Sequence, residues 1–255
     1  MRIRQQRYKV RAIEQGLDPC GMMRGGAIMI RRALSCQAAV LVGTASLLLI
    51  TYLGLAVDAA QHHLMPFDQG IRGWVQPMRS SVLDGPMRTV SLLGEPTGLI
   101  ALIVIGSAAL WRPSRRWAVL LPLLMAGTGA LQYLGKWAAA RPRPNEAPWG
   151  FPSGHVLSLA VYLGIVAFLL VTLTERRRRF RVLSCFACGA LLGAVAVSRI
   201  YLDMHWLSDV LGGFTLGTAY LLLAIWLTQS LTVPRPAVVP AGIPQDALDS
   251  VESRV

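Results

Sequence analysis

A chain of 255 residues with 54% hydrophobic and only 15% charged residues carries more apolar surface than one water-soluble core of ordinary composition buries. That composition excludes an ordinary soluble domain and makes the bilayer the expected solvent. The net charge of +12 would suit nucleic acid by amount alone, but the positions of the basic residues argue against that partner.

Residues 1–34 hold eight of the 25 Lys and Arg and read as a basic cytoplasmic tail. Residues 35–229 offer six apolar runs close to the roughly 20 residues that cross a bilayer. They lie at 37–57, 89–111, 117–139, 154–174, 182–202 and 206–229. The first run exceeds the usual signal-peptide core of about 7 to 15 residues and is expected to be a retained anchor. "RPSRR" supplies three basic residues, "ERRRRFR" five and the proline-rich stretch 230–255 two. With the N-terminal eight, these fall on one side of the six spans, as the positive-inside rule expects of cytoplasmic segments. Both termini are therefore expected in the cytoplasm, with 230–255 a flexible tail, and "ERRRRFR" can also touch anionic membrane lipid.

The opposite side keeps seven basic residues: Arg72, Arg79, Arg88, Lys136, Arg141, Arg143 and Arg199. Positive charge is disfavoured there, so anion binding is the expected reason for those nearest the membrane. Between the first two spans, Ile71, Trp74, Val75 and Met78 at i, i+3, i+4 and i+7 predict a short amphipathic helix on the outer interface, although Pro77 argues against its last turn. Glu95 with Pro96 marks a bend near the outer end of the second span; a structural role and a substrate contact both fit Glu95. Cys20, Cys36, Cys185 and Cys188 give no disulfide framework, and small-residue helix packing accounts for Cys185 and Cys188 better than metal binding does. His62, His63 and Arg141 read as interfacial residues, and Trp137, Trp149 and Trp206 as an aromatic belt.

Three clusters converge on the outer side: "KWAAARPRP" from Lys136, "PSGH" from Pro152 and "SRIYLDMHWLSD" from Ser198. Phosphoryl transfer spreads charge over equatorial oxygens that fixed cations and hydrogen-bond donors stabilise. Lys136, Arg143 and Arg199 are the cations. Ser153 and Gly154 open the fourth span, where helix N–H groups lack intrahelical acceptors. His205 and Asp209, four apart at the start of the sixth span, are expected on one helical face, so the carboxylate can hold one imidazole nitrogen and leave the other as a nucleophile. His155 is then free to protonate the leaving oxygen.

These clusters resemble the motifs of the type 2 phosphatidic acid phosphatases, also called lipid phosphate phosphatases. Lys136 with Arg143 and Pro144, then Pro152 to His155, then Ser198 and Arg199 with His205 and Asp209 stand at the family's spacing throughout. The resemblance implies an all-α, six-helix membrane enzyme that needs no metal or other cofactor and hydrolyses a lipid phosphomonoester or diphosphate through a phosphohistidine. It implies His205 as nucleophile, Asp209 as its orienter and His155 as acid, with Lys136, Arg143, Ser153, Gly154 and Arg199 holding the phosphate. Phosphatidate, phosphatidylglycerophosphate, polyprenyl diphosphate and a phosphorylated glycolipid all qualify as substrate, and the cell membrane is the expected location. A phosphotransferase using an acceptor alcohol shares the covalent step. A transporter with an anion site is the rival from another class, disfavoured because the charged set lies at one surface beside a nucleophile and an acid.

Overall fold

The computed structural model describes residues 19–173 and 177–231; the first 18 residues, three residues of the "ERRRRFR" loop region and the tail from 232 lie outside the described residues. Among the described residues the chain is all α-helix and loop. The helices are α1 (Pro19–Ala60), α2 (Pro66–Val75), α3 (Ser81–Ser91), α4 (Pro96–Leu110), α5 (Arg115–Ala139), α6 (Gly154–Leu173), α7 (Arg178–Tyr201) and α8 (Leu207–Ser230). Five are long and apolar enough to cross a membrane: α1 from Cys36, α5, α6, α7 and α8. A bent pair, Ser81–Gly94 and Pro96–Leu110, meets at 56° and is long and apolar enough only as a whole, which makes it the candidate for a sixth, broken span.

The break falls at the bend expected from Glu95 and Pro96 within the 89–111 run, and the helical segment before it begins earlier than that run, at Ser81. The chain tightens into a 3-10 turn at Leu92–Gly94, and Glu95 then turns extended, with ψ of 155°. Proline is the cause: its ring disfavours helical geometry at the preceding residue, while its fixed φ suits the first position of a new helix. Pro96 accordingly ends one helix and begins the next.

Helix α6 is the axis of the bundle. It has no polar stripe, its mean hydropathy is 2.6, and it packs against α5, α7 and α8. An all-round apolar helix is one surrounded on every side, and Leu157, Leu159, Val161 and Ile165 are at most 1% exposed. Glycine lets α8 come close: a Cβ on Gly213 would stand 2.5 Å from the Ser153 carbonyl oxygen, and one on Gly217 would stand 2.7 Å from that of Leu157. Such backbone approach is how helices gain contact in lipid, where tails compete equally for apolar surface. Helix α1 packs along α8 and α5 while leaving Leu47 and Ile50 about two-thirds exposed, at 65% and 66%, as a lipid-facing surface does.

A smaller layer caps the end of the bundle where α5 and α7 finish and α6 and α8 begin. The expected amphipathic helix over 71–78 is here α2, which starts earlier, at Pro66, and passes into a 3-10 turn at Gln76–Met78, because Pro77 cannot donate to a continuing helix. Trp74 and Met78 are exposed. Arg72 donates to both carboxylate oxygens of Asp203 at 2.8 Å and lies over the Trp206 ring, fastening α2 to the α7–α8 turn. Tyr201 does the same for α3: its hydroxyl donates to Asp84 and accepts from the Ser80 N–H.

The deepest tie overturns the reading of Arg141 as an interfacial charge. Its side chain is 2% exposed. Nη2 donates to Asp68 Oδ2 at 3.0 Å and to the His63 carbonyl at 3.1 Å, while Nη1 donates to Asp209 Oδ1 at 3.0 Å and to Ser208 Oγ at 2.7 Å. Asp68 also accepts from Ser208 N–H and Oγ. A planar guanidinium with five donors can bridge two carboxylates in this way; an ammonium cannot. Removing the cation leaves two buried carboxylates without it, a change that costs about 3–5 kcal/mol where such pairs have been broken. Arg141→Ala is therefore expected to lower the thermal unfolding midpoint in detergent markedly, with Arg141→Lys only partly restoring it and Arg112→Ala leaving it close to wild type. A midpoint for Arg141→Ala equal to wild type would refute the structural importance of this bridge.

Candidate active site

The cap gathers side chains from four helix ends. Lys136 sits in the last turn of α5, which is closed by Ala140 in the left-handed region at φ 46°; its Nζ donates to the Trp149 carbonyl at 2.7 Å. The loop that follows folds on itself, Arg143 N–H donating to Ala147 and Gly150 N–H to Arg141. This brings the Arg143 guanidinium toward the α7–α8 turn, where Nη1 meets the Met204 sulfur at 3.9 Å. Arg143 Nε is buried and has no partner.

Helix α6 then begins with Gly154. The expectation that Ser153 and Gly154 both offer free N–H groups holds only for the second: Ser153 N–H donates to the Asp209 carbonyl at 2.9 Å. Gly154 and His155, as the first two helical residues, have no intrahelical acceptor. Ser153 Oγ and His155 Nε2 are buried without partners. The imidazole of His155 packs on Gly94 in the broken span, where a Cβ would stand 2.6 Å from the ring.

Arg199, 5% exposed, closes α7. Its Nη1 donates to Ser91 Oγ, while its carbonyl accepts the N–H groups of Met204 and His205 at 3.0 and 3.3 Å. That turn, and not a shared helical face, is what carries His205 to Asp209. Helix α8 starts only at Leu207, so the expectation of both residues on one helix fails for His205. Asp209 caps the helix instead, its Oδ2 accepting from Trp206 N–H at 2.9 Å. His205 Nδ1 lies 3.5 Å from the same oxygen, too long and too poorly aligned for a formed hydrogen bond, and is buried without another partner.

Six of the eight expected residues line one cavity of about 280 Å³: Lys136, Arg143, Gly154, His155, Arg199 and His205. Ser153 and Asp209, both fully buried, stand behind this wall. Gln132, Leu99 and the bent pair's Gly94 and Pro96 complete the lining; sequence reasoning marked Pro96 only as a bend and missed the other three. Gln132 carried a signal, being one helical turn before Lys136 and hence on its face; nothing local to Gly94 pointed to the cavity. Burial is the leading electrostatic influence in the loops. It pulls His205 down to about 4, with Asp209 opposing and the Arg199 and Lys136 charges adding to the fall, and it lowers Arg143 against the pull of Asp209. Among the described residues no group of three or more His, Cys, Asp or Glu is placed to hold a metal ion. The cavity thus offers three cations, free backbone donors and two imidazoles, a set that suits a phosphate whose oxygens need several donors at once.

Known proteins resemble this chain in sequence and in fold. The PAP2 superfamily model matches residues 117–233. Phosphatidylglycerophosphatase B of Bacillus subtilis is 32% identical over 178 residues, covering 67% of this chain and 87% of its own length. Lipid phosphate phosphatase delta of Arabidopsis thaliana is 28% identical over 171 residues, 60% of this chain and 40% of that protein. The crystal structure of a transmembrane PAP2-type phosphatidylglycerolphosphate phosphatase from Bacillus subtilis superposes with a TM-score of 0.67 at 27% identity, covering 75% of this chain and 99% of that one. With its all-helical membrane bundle, its three ordered motifs and a relative matched over most of its length, the chain belongs to the PAP2 superfamily.

Proposed function

We propose that this protein is a metal-independent lipid phosphatase acting through a phosphohistidine, with its site at the extracytoplasmic face of the cell membrane and both termini in the cytoplasm. The observation that carries the reading is the single cavity in which Lys136, Arg143 and Arg199 surround two imidazoles at the end of a membrane bundle. The relatives named as lipid phosphatases support it. The substrates in those names, a phosphatidylglycerophosphate and a lipid phosphate, make a phosphorylated glycerolipid the first substrate to try.

In this mechanism the three cations and the Gly154 and His155 N–H groups hold the phosphate oxygens. His205 turns Nδ1 toward Asp209, which leaves Nε2 as the attacking lone pair. The P–N bond forms as the P–O bond to the lipid breaks, and His155 gives the leaving oxygen its proton. Water then attacks phosphorus as one of its protons passes to the His155 nitrogen that gave one up, the P–N bond breaks, and inorganic phosphate departs with both histidines restored. The positive charge that stabilises the transferring group comes from side chains, so no metal is called for.

Phosphate release from phosphatidate or phosphatidylglycerophosphate is expected to persist in excess EDTA; loss restored only by Mg²⁺ would reject the metal-independent reading. His205→Ala should lose on the order of 10⁴-fold or more in activity, as when a covalent catalytic unit is broken. His155→Ala should keep more activity on p-nitrophenyl phosphate, whose leaving group needs little protonation, than on an alkyl phosphate lipid. Alkaline quench should trap a base-stable adduct in wild type and none in His205→Ala. An adduct that survives in His205→Ala and maps to His155 would reverse the roles.

The low value at His205 has a stability consequence. Unfolded histidine titrates near 6.5, so on acidification the unfolded chain takes up this proton first. The contribution of neutral His205 is complete above pH 6.5 and is lost as pH falls toward 4, a span worth up to about 3 kcal/mol. His205→Asn should therefore flatten the fall of unfolding midpoint over that window; an unchanged slope would rule out a buried neutral imidazole. Topology is checked in a background lacking native cysteines. A cysteine at Ala147 should react with an impermeant maleimide in intact cells, whereas reaction only after permeabilisation would place the site in the cytoplasm.

A further inference from the structure

The broken span separates two cavities. Gly94 and Pro96 line the one described above, while Glu95 between them lines a neighbour of about 320 Å³. The neighbour is bounded by Arg79, Arg88, Ser91, Leu92, Glu95, Arg199, Leu202 and Met204, so three guanidiniums face one carboxylate. Arg199 lines both cavities, and Ser91, which accepts from its Nη1, belongs to the second.

The seven basic residues on the motif-bearing side can now be assigned in turn. Arg72 is neutralised by Asp203 and Arg141 by Asp68 and Asp209. Lys136, Arg143 and Arg199 line the reacting cavity. Arg79 and Arg88 remain. Arg79 has Asp84 at 3.8 Å and the Tyr201 ring beneath it, which fixes the guanidinium without fully neutralising it at that distance. Among the described residues Arg88 makes no ion pair, and neither does Glu95. An uncompensated arginine facing a cavity that opens beside a phosphate site is suited to a further anion.

We propose that this neighbouring cavity is a specificity subsite for a second phosphate on the same substrate molecule, held by Arg79 and Arg88 with Arg199 shared between the two phosphates. The inference rests on the phosphatase reading above. It selects, among lipid phosphates, those in which the scissile phosphate is joined to another phosphate: a phosphodiester across a short spacer, or the inner phosphate of a diphosphate. A lipid with one phosphate fills only the reacting cavity. Glu95 repels an anion placed against the partition and so confines the second phosphate to the arginine side.

The test compares four lipids in detergent micelles, using the purified full chain and measuring inorganic phosphate. Phosphatidylglycerophosphate is set against phosphatidate with the same acyl chains, and farnesyl diphosphate against farnesyl monophosphate. Arg88→Ala, and the Arg79→Ala/Arg88→Ala double variant, are read as the two-phosphate to one-phosphate ratio of kcat/KM, so that a general loss through misfolding cancels. The ratio is expected to fall about tenfold or more in at least one pair, mainly through KM, as loss of a charge-assisted contact implies. Arg88→Lys should recover part of it. A fall in the first pair only identifies the phosphodiester, and a fall in the second only identifies the inner phosphate of a diphosphate. Ratios unchanged in both pairs, including a parallel loss on all four lipids, would overturn the subsite. Failure of the wild type to release phosphate from any of the four would overturn the phosphatase reading itself, and the subsite with it.

Discussion

The cap of this bundle depends on one guanidinium. Arg141 lies in a loop, yet its fork reaches the α1–α2 connection through His63, the first turn of α2 through Asp68, and the first turn of α8 through Ser208 and Asp209. The helices below are packed by shape in a solvent as apolar as their side chains, so the cap is held by polar ties, this one together with the Ser208–Asp68 and Arg72–Asp203 contacts. A carboxylate as deeply buried as Asp68 or Asp209 is tolerable only with a cation and a full set of donors. The three groups therefore oblige one another, and the position of Asp209 beside His205 follows from that obligation.

The second constraint is where a membrane protein can afford polar backbone. Helix ends are the natural place, since their N–H and C=O groups are unpaired by construction. Here two helices finish and two begin at one level, which supplies free donors at α6 and a capping carboxylate at α8. Pro96 adds a third break in the same layer. By bending the span at Glu95 it brings Gly94 against His155 and sets Glu95 on the far side of the partition. A straight helix over 89–111 would present one face and could line one cavity only.

The electrostatic character of the cavity around His155 and His205 comes from excess positive charge combined with burial. Burial and the neighbouring cations hold His205 neutral, and the same excess of positive charge suits an anion that no single residue could neutralise. Membership of the PAP2 superfamily fits this balance, and the proposed covalent role of His205 uses both halves of it: a lone pair kept available and cations to receive the charge it displaces.

Hydropathy and proline placement determined the spans, the bend at Glu95 and the helix over the cap, because each is set by residues close together in the chain. The spacing of Lys136, Arg143, Ser153 to His155, Arg199, His205 and Asp209 likewise picked out residues that the fold gathers in or behind one cavity, since their chemistry is specific even when their arrangement is unknown. What the tertiary structure decided was which charges are buried together. Arg141 looks like an ordinary juxtamembrane residue until Asp68 and Asp209, 73 and 68 positions away, are seen against it. Ser153 appears to offer a donor until the Asp209 carbonyl takes it, and His205 appears helical until the Arg199 carbonyl draws it into a turn. Pairing and desolvation are properties of neighbours in space, and no local pattern of residues encodes them.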